Sequence, residues 1–183
     1  MIRKSFEATE STAYAVADLM ITAAMTAPKG CGENKIHAIA INNEEKDHLS
    51  EIMRNIGNKT NQDFFERDAK NIDSSLCVVI IGVEDIPLGL ESCSNCGFKN
   101  CIECKKSGSH CAFNITDLGI AIGSAVSIAA DHRIDNRVLY SAGKAAIQAG
   151  FLENKIKICY AIPLSTSSKS VFFDRESNNN TGV

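Results

Sequence analysis

The stretch LCVVIIGV at residues 76–83 is the strongest strand signal in the chain. It is a continuous apolar run rich in β-branched residues, and such runs are typical of strands that are buried on both faces of a sheet. Shorter apolar runs at 35–41 and 155–162 predict two further strands. We therefore expect 76–83 to be the central strand of a sheet.

Segments with helical periodicity lie between these strands. Over residues 11–27 the apolar residues recur every three or four positions, Ser11 is a candidate N-cap, and Pro28 with Gly30 would end the helix. Further helices are predicted over 43–57, 63–70, 116–130 and 135–148. Because helices separate all the predicted strands, we expect a sheet covered by helices. The pattern does not reveal the direction of the strands.

The helix predicted at 116–130 carries Gly119 and Gly123, four residues apart. Small residues at this spacing allow a neighbouring backbone or a flat cofactor to approach closely, and we favour tight helix packing. The longest uncharged run, 118–130, has thirteen residues. Because a membrane span needs about 20 apolar residues, the sequence predicts a buried helix and no membrane association.

Composition is that of one globular domain, with 183 residues, 44% of them apolar, and a net charge of −3. We expect a single domain over 1–175, a cysteine-rich module at 90–112 inside it, and a disordered polar tail at 176–183. After the N-terminus the only adjacent basic pair is Lys105-Lys106, so no nucleic-acid partner is expected. The first ten residues contain no apolar signal segment, which predicts a cytoplasmic protein.

Five of the eight cysteines lie close together in the sequence, at Cys93, Cys96, Cys101, Cys104 and Cys111. Without a secretory signal, crowded cysteines are more typical of metal ligands or redox thiols than of disulfides. Four Cys thiolates hold an iron–sulfur cluster, and Gly97 would allow a tight turn between two of them. Structural zinc sites usually separate their cysteine pairs by about 12–20 residues, so we favour a cluster and keep zinc or thiol–disulfide chemistry as alternatives.

The fourth ligand of such a cluster has two candidates. The set Cys93, Cys96 and Cys101 with Cys111 favours a [4Fe–4S] cluster, because one compact loop is closed by a residue at the next helix. Cys104 is the alternative fourth ligand, since Cys96, Cys101 and Cys104 also match the plant-type [2Fe–2S] spacing. We prefer the [4Fe–4S] interpretation.

The other three cysteines carry weaker signals. Cys77 and Cys159 fall within predicted strands, where a free Cys usually behaves as a small buried apolar residue. Cys31 lies in a glycine-rich loop, and we interpret it as an ordinary loop residue rather than a reactive thiol. No Walker or dinucleotide-type phosphate loop and no hydrolytic motif is recognisable, so the catalytic residues of any enzyme activity stay unassigned.

Three stretches closely resemble the prokaryotic family described as ferredoxin domain-containing proteins. They are CGFKNC at 96–101, CAFNITDLGIAIGSAVSIAADHRIDNRV at 111–138 and IPLSTSSKSVFFDR at 162–175. The resemblance extends over 11–175 and implies an iron–sulfur cluster but no particular reaction. The first stretch also resembles small [4Fe–4S] domains with a C-x2-C-x4-C pattern and a distant fourth Cys. This chain departs from that pattern by a closer fourth Cys, Cys111, and by the additional Cys104.

A fainter resemblance is to FMN-dependent nitroreductases, carried by ITAAMTAPKGCGEN at 21–34 and DLGIAIGSAVSIAA at 117–130. It implies an α+β fold, in which a helix-covered sheet carries the small cysteine-rich insert, and a homodimer with FMN at its interface. The FMN candidates it implies are Pro28, Lys29 and Gly30 in the loop after the first helix, with Arg3, Lys4 and Ser5 in place of an Arg-rich phosphate clamp. The family's C-terminal phosphate-contacting part is not recognisable here.

Other cations available to a flavin phosphate are Arg133, Arg137, Lys169 and Arg175. We interpret the polar residues of 131–137 as an ion-paired connection between helices rather than a ligand site. The sequence thus predicts a ferredoxin-like electron-transfer protein with an unidentified redox partner. The alternatives are a flavin-dependent oxidoreductase in which the cluster relays electrons to FMN, and a zinc-stabilised binding module.

Overall fold

Residues 2–173 are described by the computed structural model, so Arg175 and the predicted tail at 176–183 lie outside the described residues. The described part contains six α-helices and four strands. They are α1 (Ser5–Thr26), β1 (Ile36–Ile41), α2 (Asn43–Thr60), α3 (Phe64–Asp73), β2 (Cys77–Glu84), α4 (Cys101–Lys106), α5 (Ala112–Asp131), β3 (Asp135–Asn136), α6 (Tyr140–Ala149) and β4 (Ile156–Ser165).

The four strands form one antiparallel sheet in the order β1-β2-β4-β3. In the middle of β2, Ile80 lies opposite Ile39 of β1 and Ala161 of β4. The first seven residues of β2 are all buried, as the continuous apolar run predicts. The central position of this strand is therefore confirmed.

Helices cover both faces of the sheet, since alternate residues of β2 point to opposite sides. Val79 and Ile81 pack against α1 and α5 in one apolar core. Val78 and Ile80 pack against α2, α3 and α6 in a second core. This α+β arrangement confirms the predicted helix-covered sheet. The longer connections start from the ends of the strands.

The N-terminus of α1 differs from the prediction, because the helix begins at Ser5 rather than after Ser11. Lys4 is the N-cap, and its backbone N–H donates to the Glu7 carboxylate at 3.0 Å. Ser11 lies inside the helix, where its hydroxyl donates to the Ala8 carbonyl at 3.1 Å. The local hydrogen bond to Glu7 extends the helix beyond its apolar stripe.

The helix predicted over 135–148 begins only at Tyr140. Its first predicted residues form β3, in which Asp135 lies opposite Ser165 of β4 and Asn136 lies opposite Leu164. Pairing with a strand that is distant in sequence takes these polar residues away from the helix. This pairing is a tertiary contact that helical periodicity does not report.

The two glycines of α5 do not pack against a neighbouring backbone. Within the described residues, no atom apart from the local backbone of α5 lies within 4 Å of the position that a Cβ at Gly119 or Gly123 would occupy. The predicted tight packing is wrong within this chain. Ile115 and Ile120 on the same helix are also 41% and 40% exposed, so α5 presents an open apolar face.

Helix α5 is longer than its uncharged run, with 20 residues, and an 18-residue window within it has a mean hydropathy of 1.4. Its length and composition alone would allow it to cross a membrane, a test that the core helices of other folds also pass. The uncharged run of thirteen residues therefore understates the length of this helix. Leu118, Ala121 and Ala125 are nevertheless fully buried in the core shared with α1.

Candidate functional site

The cysteine module is the connection between β2 and α5, and it holds all five clustered cysteines. Cys93 and Cys96 lie in its loop, Cys101 is the first residue of α4, and Cys111 is the N-cap of α5. Asn100 fixes the start of α4, because its side chain accepts a hydrogen bond from the backbone N–H of Glu103 at 2.9 Å.

A tight turn separates the first two cysteines from the third. Gly97 has a φ of +84°, in the left-handed region that favours glycine, and its N–H donates to the Ser94 carbonyl at 2.9 Å. Ser94 itself has a φ of +50°. This left-handed backbone conformation favours glycine at position 97, as predicted for a tight turn between two cysteines.

One small cavity is lined by all five cysteines of the module. The remaining lining residues are apolar or uncharged: Pro87, Leu90, Ser94, Phe98, Asn100 and Ala112. Cys104 and Cys111 are buried, and the other three cysteines are half-buried. The structure therefore brings the sequence-predicted ligands together and adds no carboxylate or imidazole to the set.

Among the residues that the structure describes, the five thiols are the only ionisable donors that line this cavity. Within residues 2–173, no group of three or more His, Cys, Asp or Glu side chains is arranged to hold a metal ion. The ligands of a structural zinc ion must meet at about 2.0–2.3 Å from a single atom, whereas the thiolates of a cluster bind different iron atoms. By donor chemistry, a purely thiol set around an apolar cavity fits a cluster.

Among the five described cysteines of the module, Cys104 differs from the other four because its thiol donates to a backbone carbonyl. Its Sγ donates to the Ser109 carbonyl at 3.4 Å. The pKa of Cys104 is raised to about 11 by removal of the thiol from water, and then by its hydrogen bond to Cys96 and the charges of Cys96, Cys111 and Cys101. In this arrangement the Cys104 thiol is a hydrogen-bond donor to the backbone.

Side chains hold both ends of the module in place. Asn114, in the first turn of α5, is 2% exposed and donates from Nδ2 to the carbonyls of Glu84 at 3.0 Å and Ile86 at 2.9 Å. His110 and Asp85 approach to 3.0 Å across the two ends. The signal for Asn114 was a polar residue on the buried face of an apolar helix.

We expect Asn114→Ala to loosen the entrance of the module against α5. The substitution removes two buried hydrogen bonds and leaves two carbonyls without a side-chain donor, which costs about 1–3 kcal/mol. Hydrogen exchange of the amides at 85–90 will be faster than in the wild type. Thr116→Ala is the control on the same helix, because its exposed hydroxyl donates only to the Ala112 carbonyl. Equal exchange rates in the two variants would contradict the role of Asn114.

The six FMN candidates are divided between the two ends of α1. Arg3, Lys4 and Ser5 lie at its exposed start, whereas Pro28, Lys29 and Gly30 follow its end. A helix of 22 residues is about 33 Å long at 1.5 Å per residue. A single chain therefore does not bring the two groups together.

The loop after α1 is already committed to contacts within the chain. The Lys29 ammonium donates to the carbonyls of Ala24, Met25 and Ala27 at 3.1, 2.7 and 2.7 Å, and burial lowers its pKa. Both carboxylate oxygens of Asp117 accept from the Gly30 N–H, at 3.1 and 3.0 Å. Lys29 therefore caps the end of α1.

The polar residues of 131–137 are not joined to one another by ion pairs, so that prediction is wrong. Arg137 instead donates to the Phe172 carbonyl at 2.9 Å and lies over the Phe173 ring at 5.1 Å. Arg133 adopts a left-handed conformation at φ +59°, and Lys169 is exposed.

Sequence comparison identifies a relative that covers most of the chain. A protein from Archaeoglobus fulgidus is 36% identical over 166 residues, which cover 86% of this chain and 88% of that protein. Residues 107–175 match the family model described as "Uncharacterized protein containing a ferredoxin domain (DUF2148)". The chain belongs to this ferredoxin-domain family. The matched segment contains Cys111 and α5, while Cys93, Cys96, Cys101 and Cys104 precede it.

The fold of this ferredoxin-domain protein is that of nitroreductases. A nitroreductase with bound FMN from Desulfitobacterium hafniense has a TM-score of 0.56 at 14% identity, covering all of this chain and 89% of that one. A putative nitroreductase in complex with FMN from Desulfovibrio desulfuricans has a TM-score of 0.57 at 11% identity, covering 88% and 78%. For NfrA2 of B. megaterium the TM-score is 0.54 at 15% identity. That alignment covers 85% of this chain but only 58% of NfrA2.

Three cysteines lie outside the module. Cys77 and Cys159 are buried, as predicted, and Cys31 is exposed. Cys77 and Cys159 are 2% and 3% exposed, and burial raises the pKa of each thiol to about 12. Their Sγ atoms face the Ala13 and Gly143 carbonyls. Cys31 is exposed, in a left-handed conformation at φ +56°.

We therefore expect native ferredoxin-domain protein to resist alkylation at Cys77 and Cys159. At pH 8 a thiol of pKa about 12 is a thiolate in only about one molecule in ten thousand, and burial blocks the reagent as well. Iodoacetamide followed by peptide mass spectrometry will label Cys31 first, and both buried thiols only after unfolding. Labelling of Cys77 or Cys159 at the rate of Cys31 would contradict their assignment to the core.

Proposed function

We propose that this protein is an iron–sulfur electron-transfer protein whose [4Fe–4S] cluster is held by Cys93, Cys96, Cys101 and Cys111. The observation that carries the proposal is the cavity lined by five thiols and by no other ionisable side chain. The family's description as containing a ferredoxin domain supports it. When bound, such a cluster accepts and donates one electron at a time. We also propose that the protein works in the cytoplasm.

The chain's own residues would set the environment of the cluster. Pro87, Leu90 and Phe98 line the cavity with apolar groups, which exclude water from the sulfur atoms. Burial and hydrogen bonding around a cluster determine its reduction potential. These residues would therefore tune the potential rather than take part in any bond.

Cys111 is the better fourth ligand on two observations. It is the N-cap of α5, a helix of 20 residues, and the positive end of a helix dipole stabilises a thiolate. The competing thiol, Cys104, donates a hydrogen bond to the Ser109 carbonyl. The arrangement thus leaves Cys111 available as a ligand and keeps Cys104 as a neighbour.

The two candidates can be separated by matched serine variants. We expect Cys111→Ser to reduce bound iron and acid-labile sulfide by at least about tenfold, since even changes beside metal ligands cost about 10–100-fold in affinity. Cys104→Ser should keep both, with a shifted reduction potential. Loss of the cluster in Cys104→Ser and its retention in Cys111→Ser would reverse the assignment.

A second candidate function is a flavin-dependent oxidoreductase in which the cluster relays electrons to FMN. The specific observation is the nitroreductase fold, two of whose described examples contain FMN. Because α1 holds Arg3, Lys4 and Ser5 far from Pro28, Lys29 and Gly30, one FMN could use both groups only if two chains contribute. A zinc-stabilised binding module is the remaining alternative.

A homodimer would meet that requirement, and α5 offers a surface for it. Gly119 and Gly123 leave open space, and Ile115 and Ile120 are partly exposed beside them. Sedimentation of the purified protein, with flavin measured in the same sample, tests this candidate. A dimer with stoichiometric FMN would establish it, and a flavin-free monomer that does not rebind FMN would exclude it.

A further inference from the structure

Helix α4 presents a face of distinct character next to the cysteine cavity. Residues three and four apart are neighbours on a helix, so Ile102, Lys105 and Lys106 share one face. Ile102 is 67% exposed, and both lysines are exposed. We refer to these three residues as the α4 patch.

The α4 patch is basic on a chain whose net charge is −3. Among residues 2–173, no carboxylate forms an ion pair with Lys105, Lys106 or the exposed Lys99 that precedes the helix. Glu103 lies three residues before Lys106 and adjoins the patch on the helix. Residues 99–106 carry three lysines and one glutamate, so the local charge stays positive.

The α4 patch adjoins a proposed cluster ligand. Cys101 opens α4, directly before Ile102 and one helical turn before Lys105. Its side chain lines the cavity, and the residue is half-buried. Because electron transfer slows steeply with distance, a partner seated on this face would be well placed to exchange an electron with the cluster.

We propose that the α4 patch is the docking surface for an acidic one-electron carrier protein. The inference rests on the proposed function. In the exchange, the reduced cluster loses one electron and the oxidised cofactor of the carrier gains it, and a flavin cofactor that becomes a neutral semiquinone takes its proton from water. The two lysines would steer an acidic surface into contact, and Ile102 would supply an apolar centre within a charged rim.

Flavodoxin, a small acidic electron carrier, is a suitable probe. Its affinity for anaerobically purified protein is measured by titration calorimetry at ionic strengths of about 0.02 and 0.15 M, whose screening lengths differ by a factor of about 2.7. We expect binding that weakens with salt. At low salt, Lys105→Glu/Lys106→Glu should weaken it by about tenfold or more. Ile102→Ser should weaken it at both ionic strengths.

The matched control is Lys70→Glu/Lys144→Glu, which changes the net charge of the chain by the same amount. Both control lysines are exposed, on α3 and α6, which pack on the face of the sheet opposite α5. Equal weakening in the two double variants, or no binding of flavodoxin by the wild type, would overturn the docking proposal. Tighter binding to a single-stranded oligonucleotide than to flavodoxin would also overturn it.

Iron and sulfide measured on the same samples separate this inference from the proposed function. If flavodoxin binding depends on the α4 patch but the protein holds no cluster, the electron-transfer function is refuted and the docking surface is supported. If the protein holds a cluster but its binding of flavodoxin does not depend on the α4 patch, only the docking surface is refuted.

Discussion

Replacing Cys101 by serine will reduce the iron and acid-labile sulfide bound per chain by more than about tenfold. Cys101 belongs to every ligand set that the spacing allows, and it lines the cavity from the first turn of α4. A serine hydroxyl is a poor substitute for a thiolate as an iron ligand. The brown absorption of the anaerobically purified protein will fall in parallel.

The control for this experiment is Cys31→Ser. Cys31 is exposed and lies in the loop after α1, outside the cavity-lining residues. We expect its iron, sulfide and thermal unfolding to match the wild type. If Cys101→Ser keeps its iron and sulfide while remaining folded by circular dichroism, the assignment of the cysteine module is wrong.

Gly143→Ala will lower the free energy of unfolding by about 3 kcal/mol. A Cβ at this position would overlap the Cys159 carbonyl, lying 2.6 Å from its carbon and 2.8 Å from the Tyr160 Cα. Both neighbours are backbone atoms of β4, a strand paired with β2, so they cannot move aside without disturbing the sheet. Urea unfolding followed by circular dichroism measures the change.

Gly123→Ala is the matched control in another helix. Within the described residues, no atom apart from the local backbone of α5 lies within 4 Å of its Cβ position, and Ala is favoured over Gly in a helix by about 1 kcal/mol. In dilute protein this variant should be as stable as the wild type or more so. If both variants lose a similar free energy of unfolding, the close approach of α6 to β4 is not the reason that Gly143→Ala destabilises the protein.

The elements that could be predicted from the sequence are those whose signal is local. The apolar run at 76–83 is buried on both faces, because a strand covered by helices on both sides needs an apolar residue at almost every position. The antiparallel order β1-β2-β4-β3 depends on contacts between distant residues. The pairing of Asp135 with Ser165 was missed for the same reason.

The site shows the same division. The spacing of the five clustered cysteines alone predicted that they form one site, and the structure places all five around one cavity. The sequence pattern did not predict the role of Asn114, whose two hydrogen bonds join residues about 30 positions apart in sequence. Nor did it predict that Lys29 would cap α1, because a loop lysine has the same appearance in the sequence whether it binds a phosphate or a carbonyl.

Cofactor analysis of protein purified without oxygen tests the central claim most directly. Iron, acid-labile sulfide, zinc and flavin are measured per chain in one sample. The account predicts about four irons and four sulfides per chain, with little zinc. Stoichiometric zinc without sulfide would contradict it and leave a metal-stabilised module without redox chemistry.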